Sequence, residues 1–147
     1  MAPAVKLKPI TRKNWEAVVD LELAPAQRDL VASNAYSLAE SKFDPAACPR
    51  AIYAGKRLVG FLMYDISKGK KKALIYRFMI DRAHQGKGYG GAALAAAIKE
   101  IARVRSVRKI AISYMPGNRV ARKFYAGFGF GEAGRDDDGE VMAELKL

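Results

Sequence analysis

The sequence predicts a mixed α/β domain of the α+β type, built on one twisted, mainly antiparallel sheet with helices on both faces. Three observations lead there. The chain has 147 residues, the size of one ordinary domain, so residues 1–147 are expected to fold around a single core. Half of the residues are apolar and 28% are charged, a globular balance that excludes disordered, collagenous and membrane-embedded chains. Finally, the apolar period changes from helical to β along the chain. A strand, an Ala-rich helix and a second strand then follow one another, as in a βαβ unit with parallel neighbours.

Each element has a local reason. A short strand around Val5 to Lys8 precedes Thr11 and Asn14, either of which can cap a helix through Trp15, Val18, Val19 and Leu21. Pro25 opens another helical region, with Leu30, Val31, Ala35, Leu38 and Ala39 at helical spacing. Ala51 to Ala54, a Gly55-Lys56 turn and Leu58 to Tyr64 read as a β-hairpin, and Ala73 to Ile80 as a third antiparallel strand. After a glycine-rich turn, Ala92 to Ile98 has the highest helix propensity in the chain, in a helix expected to run to about Val104. Lys109 to Tyr114 is a strand ended by Pro116-Gly117, and Asn118 opens a short helix through Phe124 and Tyr125. Phe128 to Phe130 and Val141 to Leu145 suggest a closing hairpin around Gly134 to Gly139.

The turn Gln85-Gly86-Lys87-Gly88-Tyr89-Gly90-Gly91 carries the most chemistry. Glycines allow close backbone approach, and the unpaired amides at the start of the next helix sit at the positive end of its dipole. That combination suits a phosphate. Gly86, Gly88 and Gly91 also match the dinucleotide fingerprint, but the turn follows a hairpin in mid-chain and the next strand ends Ile112-Ser113-Tyr114, without the ribose-binding acid. No Gly-Lys-Ser or Gly-Lys-Thr follows, which excludes a Walker loop.

Gln85-x-x-Gly88-x-Gly90, the strand Arg77 to Asp81 before it, and Asn118-x-x-Ala121-x-x-x-Tyr125 followed by Gly127-Phe128-Gly129-Phe130 together resemble the GCN5-related N-acetyltransferases over almost the whole chain. The resemblance implies a single domain with a central βαβ acetyl-CoA unit, acetyl-CoA as cosubstrate, a primary amine as acceptor and direct transfer. It implies that backbone groups of Phe78, Met79 and Ile80 meet the pantetheine arm, with the Phe78 amide at the thioester oxygen, where it would stabilise developing negative charge. It further implies that Gln85, Gly86, Lys87, Gly88, Tyr89, Gly90 and Gly91 wrap the pyrophosphate, that Asn118 contacts the cofactor, and that Tyr125 is the general acid for the departing thiolate. Dimers are frequent in the family, which makes a homodimer one possible state.

What the sequence lacks agrees with direct transfer. Cys48 is the single cysteine and His84 the single histidine, there is no Gly-x-Ser-x-Gly elbow, and no metal-ligand cluster is recognisable. The ammonium of an acceptor must lose a proton, for which Glu22, Asp29, Asp44 and Asp81 are all candidates. Within the family the pattern is most similar to bacterial diamine or spermine/spermidine acetyltransferases, although Tyr76 stands before Arg77 where polyamine-type relatives can carry an acid. A small di- or polyamine is the expected acceptor; peptide, protein and aminoglycoside amines, and a non-catalytic acetyl-CoA sensor, are the alternatives.

Charge and compartment complete the reading. The 26 Lys plus Arg outnumber 15 Asp plus Glu by 11, a basic excess that points to an anionic partner. Twelve basic residues against Asp81 and Glu100 place +10 of it between Ile66 and Lys109, around the glycine turn. The excess therefore supports a phosphate-bearing cofactor as well as it supports a nucleic acid, for which no recognition motif accompanies it. A lone cysteine and an N-terminus without a long apolar run fit a cytoplasmic protein without membrane attachment.

Overall fold

The computed structural model describes residues 3–25, 32–66 and 71–147. Seven strands form one sheet: β1 (Lys6–Pro9), β2 (Ala47–Ala54), β3 (Arg57–Asp65), β4 (Lys72–Ile80), β5 (Lys109–Tyr114), β6 (Gly131–Arg135) and β7 (Val141–Lys146). Their spatial order is β1-β2-β3-β4-β5-β7-β6. Every pair is antiparallel except β4 with β5. The helices are α1 (Trp15–Val19), α2 (Asn34–Phe43), α3 (Tyr89–Ala102) and α4 (Arg119–Ala126). The α3 helix is the crossover that parallel β4 and β5 require.

Side-chain alternation sends the sheet's apolar residues to two cores. On one face, Ile52, Val59, Leu62, Ala73 and Ile75 pack with Ala93, Leu94, Ala97 and Ile101 of α3, and with Phe124 and Tyr125 of α4. On the other, Ala51, Phe61, Met63 and Met79 pack with Val18 of α1 and Leu38 of α2. Leu94 and Ile101 are fully buried, each contributing about 1.5–3 kcal/mol.

A β-bulge at Tyr76 is the irregularity that matters most. Met63 lies opposite Arg77 while Tyr64 lies opposite Ile75, so β4 carries one extra residue at position 76. The extra residue reverses the alternation: Ala73 and Ile75 face the α3 core before it, Phe78 and Ile80 after it. Bulges also bend their strand. The parallel rungs between β4 and β5 end at Ile75 opposite Ile112, although β4 stays paired with β3 to Ile80 and β5 with β7 to Tyr114. Two neighbouring strands therefore separate in the middle of the sheet. Arg77 fastens the bent segment to α2, donating from Nε to Ser37 Oγ at 3.1 Å and pairing with Glu40 at 3.3 Å.

Several boundaries differ from the sequence expectation. The first helix stops at Val19, short of Leu21, and Asn14 Oδ1 accepts the Thr11 amide at 2.8 Å instead of capping the helix. The second helix starts at Asn34, capped by Ser33 Oγ, which accepts the Tyr36 amide at 3.1 Å. Leu30 and Val31 lie outside the described residues. The Ala-rich helix ends at Ala102, before Val104. Phe128 to Phe130 do not form a strand: their amides fold back onto Tyr125 and Ala126 carbonyls at 3.0–3.2 Å, finishing α4, so the closing strand begins only at Gly131.

Candidate active site

The separation of β4 from β5 opens a cavity of about 750 Å³, within the range of small-ligand sites. Its lining draws on both cores. Phe78, Ile80, Tyr89, Phe124 and Tyr125 come from the α3 side, and Leu23, Tyr76 and Met79 from the α1/α2 side, so the cavity passes through the sheet at the gap.

The ladder to β3 fixes where the backbone of β4 points. Asp81 donates its amide to Val59 O at 2.8 Å, and in an antiparallel ladder every second residue turns both backbone groups to the partner. Asp81, Met79 and Arg77 therefore face β3, which turns the backbone groups of Phe78 and Ile80 to the side where β5 has departed. Gln85 Nε2 donates to Ile80 O at 2.9 Å, tying the turn to the end of the strand. The amides of Phe78 and Ile80 are left as donors aimed into the gap.

The glycine turn begins after a single 3₁₀ turn, Arg82–His84, which Asp81 caps by accepting the Ala83 amide at 3.2 Å. Gly88 is the N-cap of α3 with φ +85°, a left-handed conformation that costs other residues about 1–2 kcal/mol. The first-turn amides of α3 have no intrahelical acceptor. They open at the cavity wall formed by Gly86, Gly88, Tyr89 and Gly90. These features fit a pyrophosphate at the helix start and an extended pantetheine arm along β4.

Of the residues singled out in the sequence, Phe78, Met79, Ile80, Gln85, Gly86, Gly88, Tyr89, Gly90, Asn118 and Tyr125 all line this cavity. Lys87 and Gly91 do not: Lys87 is exposed on the turn, and Gly91 faces Phe128. Asn118 Oδ1 caps α4 by accepting the Ala121 amide at 3.0 Å, and its Nδ2 makes no hydrogen bond among the described residues. Tyr125 sits in an aromatic cluster, stacked on Tyr114 at 6.1 Å and edge-on to Phe124 and Phe130. Burial pushes its phenol up to about 12, so it carries its proton at any physiological pH.

The carboxylates anticipated as bases are occupied elsewhere. Asp81 accepts the Glu22 amide at 2.8 Å as well as capping its own turn, Glu22 pairs with Arg82 at 3.1 Å, and Asp44 accepts the Ala46 amide at 3.0 Å. Asp29 lies outside the described residues. None of Glu22, Asp44 and Asp81 lines the cavity. The acids that do are Asp136, Asp138 and Glu140 on the β6–β7 turn, a stretch that in the sequence reads only as a hairpin connection. Their signal was an acidic cluster in a strongly basic chain.

Two further groups bear on the chemistry. Burial pushes the Cys48 thiol up, which leaves it a poor nucleophile. His84 lines the cavity with Nδ1 buried and unpartnered among the described residues.

The acetyltransferase (GNAT) family model matches residues 15–130. Among curated proteins, the spermine/spermidine N(1)-acetyltransferase of Bacillus subtilis (strain 168) is 31% identical over 151 residues, covering 98% of this chain and 99% of that protein. Among solved structures, the PaiA N-acetyltransferase of Thermoplasma acidophilum in complex with coenzyme A superposes with a TM-score of 0.72 at 15% identity, over 98% of this chain and 99% of that one. The aminoglycoside acetyltransferase AAC(6')-Ib in complex with coenzyme A gives 0.79 at 15% identity, over 97% and 95%. With a family match across most of its length and a site whose split strands and glycine turn fit acetyl-CoA, the chain belongs to the GNAT family of N-acetyltransferases.

Proposed function

We propose that residues 1–147 act as one domain that transfers the acetyl group of acetyl-CoA directly to a primary amine of a small di- or polyamine. The observation that carries this reading is the through-sheet cavity, with the glycine turn among its walls on one side and the carboxylates of Asp136, Asp138 and Glu140 on the β6–β7 turn. In a chain of net charge +11, acids gathered on one cavity wall favour a cationic acceptor. The spermine/spermidine acetylating relative supports the same class.

When bound, acetyl-CoA supplies an activated acetyl carbonyl. Pairing of its pantetheine arm with the Ile80 backbone would hold that carbonyl in the gap. The Phe78 amide then donates to the carbonyl oxygen as negative charge builds there, a contribution worth about 2.7–4 kcal/mol for one well-aimed donor. Tyr125, neutral and held by its ring contacts, donates its proton to the leaving sulfur. The lone Cys48, with its thiol raised by burial, takes no part as a nucleophile and suits a reducing cytoplasm.

The test is release of free thiol from acetyl-CoA across a panel of spermidine, spermine, short diamines, aminoglycosides, aromatic amines and N-terminal peptides. The expected outcome is the highest kcat/KM for a diamine or polyamine. A preference for aminoglycosides or peptides would reassign the acceptor, and no thiol release with any amine would overturn the reading.

A further inference from the structure

We propose that Glu140 is the general base of this reaction, taking a proton from the acceptor ammonium so that the freed amine can attack. The inference rests on the acetyl-transfer reading above and assigns a role that reading leaves open.

Among the described residues, the cavity is lined by three carboxylates, and two of them are otherwise engaged or placed outside. Asp136 Oδ1 accepts the Asp138 amide at 3.0 Å and the Glu140 amide at 2.9 Å, so its work is to shape the turn. Asp138 is exposed at the tip. Glu140 is half-buried, and its carboxylate makes no hydrogen bond or ion pair among the described residues.

Its position in the sheet is also specific. Glu140 O accepts the Asp136 amide at 2.9 Å, which extends the β6–β7 ladder by one rung. The next residue, Val141, is buried in the α3 core and lies opposite Tyr114, on which Tyr125 stacks. Strand alternation therefore turns Glu140 away from that core, toward the side from which Tyr76 and Leu23 line the cavity. Acid and base would thus approach the gap from opposite faces of the sheet.

The surroundings favour proton uptake. Burial, followed by the charges of Asp136 and Asp138, raises the proton affinity of Glu140 above that of a free carboxyl. The other charged and titratable groups around the cavity are Arg77, Tyr76, His84, Tyr89, Tyr114 and Tyr125, with Arg135 flanking the turn through its bond to Gly139 O at 3.2 Å. Arg77 is already paired with Glu40, and burial keeps the phenols of Tyr76, Tyr114 and Tyr125 protonated.

The step balances as follows. Glu140 takes one proton from R–NH3⁺, giving R–NH2 and a carboxylic acid. The nitrogen lone pair forms the C–N bond, the C–S bond breaks, and the sulfur receives the Tyr125 proton. The second nitrogen proton returns to the Tyr125 phenolate, and Glu140 releases its proton to water. The products are the amide, free CoA thiol and one proton.

The test compares Glu140→Gln with the parent over about pH 6–10, using spermidine and a weakly basic aromatic amine that is neutral at assay pH. A general base is worth about 10²–10⁴-fold. The expected result is a loss of at least about 100-fold in kcat/KM for spermidine near pH 7, shrinking as pH rises and free amine accumulates. The deficit should fall below about threefold for the aromatic amine, and acetyl-CoA affinity should stay within about twofold. Glu140→Asp should recover part of the spermidine activity. Equal losses for both amines at every pH would mean a structural role and overturn the proposal. So would the same signature in His84→Gln together with its absence in Glu140→Gln. A parent enzyme inert toward every amine would defeat the underlying reading, and the base assignment with it. An active parent matched by Glu140→Gln would defeat the base assignment alone.

Discussion

Tyr125 illustrates how packing prepares one side chain for the proton donation proposed for it. Its ring is held between Tyr114, Phe124 and Phe130, and the same burial that fixes the ring lifts the phenol to about 12. The shift is upward, so the proton is present at all lower pH values and is lost only as pH rises through about 12. Replacement by Phe keeps the ring contacts and removes the proton. Tyr125→Phe should lower kcat by about 10²–10⁴-fold while acetyl-CoA affinity changes less than twofold, and the parent kcat profile should show no descending limb from Tyr125 below about pH 10. Unchanged turnover in the variant would remove Tyr125 from the mechanism. Glu140 offers a thermodynamic counterpart. Its folded-state pKa is raised from 4.5, so its contribution to stability is full below that value and is lost as pH rises through the folded value. At neutral pH the ionised carboxylate opposes folding. Glu140→Gln should therefore melt higher than the parent at about pH 7, with the gap closing toward about pH 4, as differential scanning calorimetry can check. That Tyr125 reaches the cavity was legible in the sequence because its spacing from Asn118 and Gly127 belongs to a recognisable pattern. The acids of the β6–β7 turn were not, because an acidic hairpin turn is also what a solvated surface needs.

Among the elements, the pairing of β3 with β4 decides whether a cavity exists at all. Gly60, opposite Ile80, lets the two strands approach so closely that a Cβ on it would lie 2.4 Å from Met79 O and 2.9 Å from Ile80 Cδ1. The carbonyl cannot yield without moving the strand, so Gly60→Ala should cost about 1–3 kcal/mol. A fall of several degrees in Tm is expected for a chain of this size. Because the displaced Met79 lies between Phe78 and Ile80, the KM for acetyl-CoA should rise in the same variant. A fully stable Gly60→Ala with unchanged KM would show that this approach is not needed. The strands themselves were readable from apolar alternation and turn residues, and β5 was located at its observed bounds. The Tyr76 bulge was not readable. A bulge is one extra residue relative to a partner strand, and neither strand alone contains that information. The late start of β6 was hidden for a related reason: Phe128-Gly129-Phe130 has strand-like composition, but its amides are claimed by the end of α4.

For the molecule as a whole, the structure relocates the charge that first suggested an anionic partner. The sequence places +10 of the +11 between Ile66 and Lys109, and proximity along the chain suggested that it surrounds the glycine turn. The topology sends most of it to the other end. Lys72 and Lys109 pair at the first rung of β4 and β5, the Arg108 amide donates to Lys71 O, and Arg103 caps the far end of α3. Lys68 and Lys70 lie outside the described residues. Eight residue steps along β4 separate its first rung from the turn, about 26 Å, and the 14 residues of α3 span about 21 Å. Both distances exceed the Debye length of about 8 Å at physiological salt more than twofold, so these charges are screened from a phosphate at the turn. Backbone amides, the left-handed Gly88 and the exposed Lys87 are then left as the anion-binding features proposed at the turn. Replacing the exposed Arg103, Arg105 and Arg108 together by Gln should leave the KM for acetyl-CoA within about twofold at about 0.15 M salt. Gly88→Ala, which must hold an L-residue at φ +85° with its Cβ 3.2 Å from Pro3 Cδ, should raise that KM by about tenfold, the equivalent of about 1.4 kcal/mol. The reverse order of effects, read from initial rates at fixed amine, would mean that the distant basic end and not the turn governs cofactor binding.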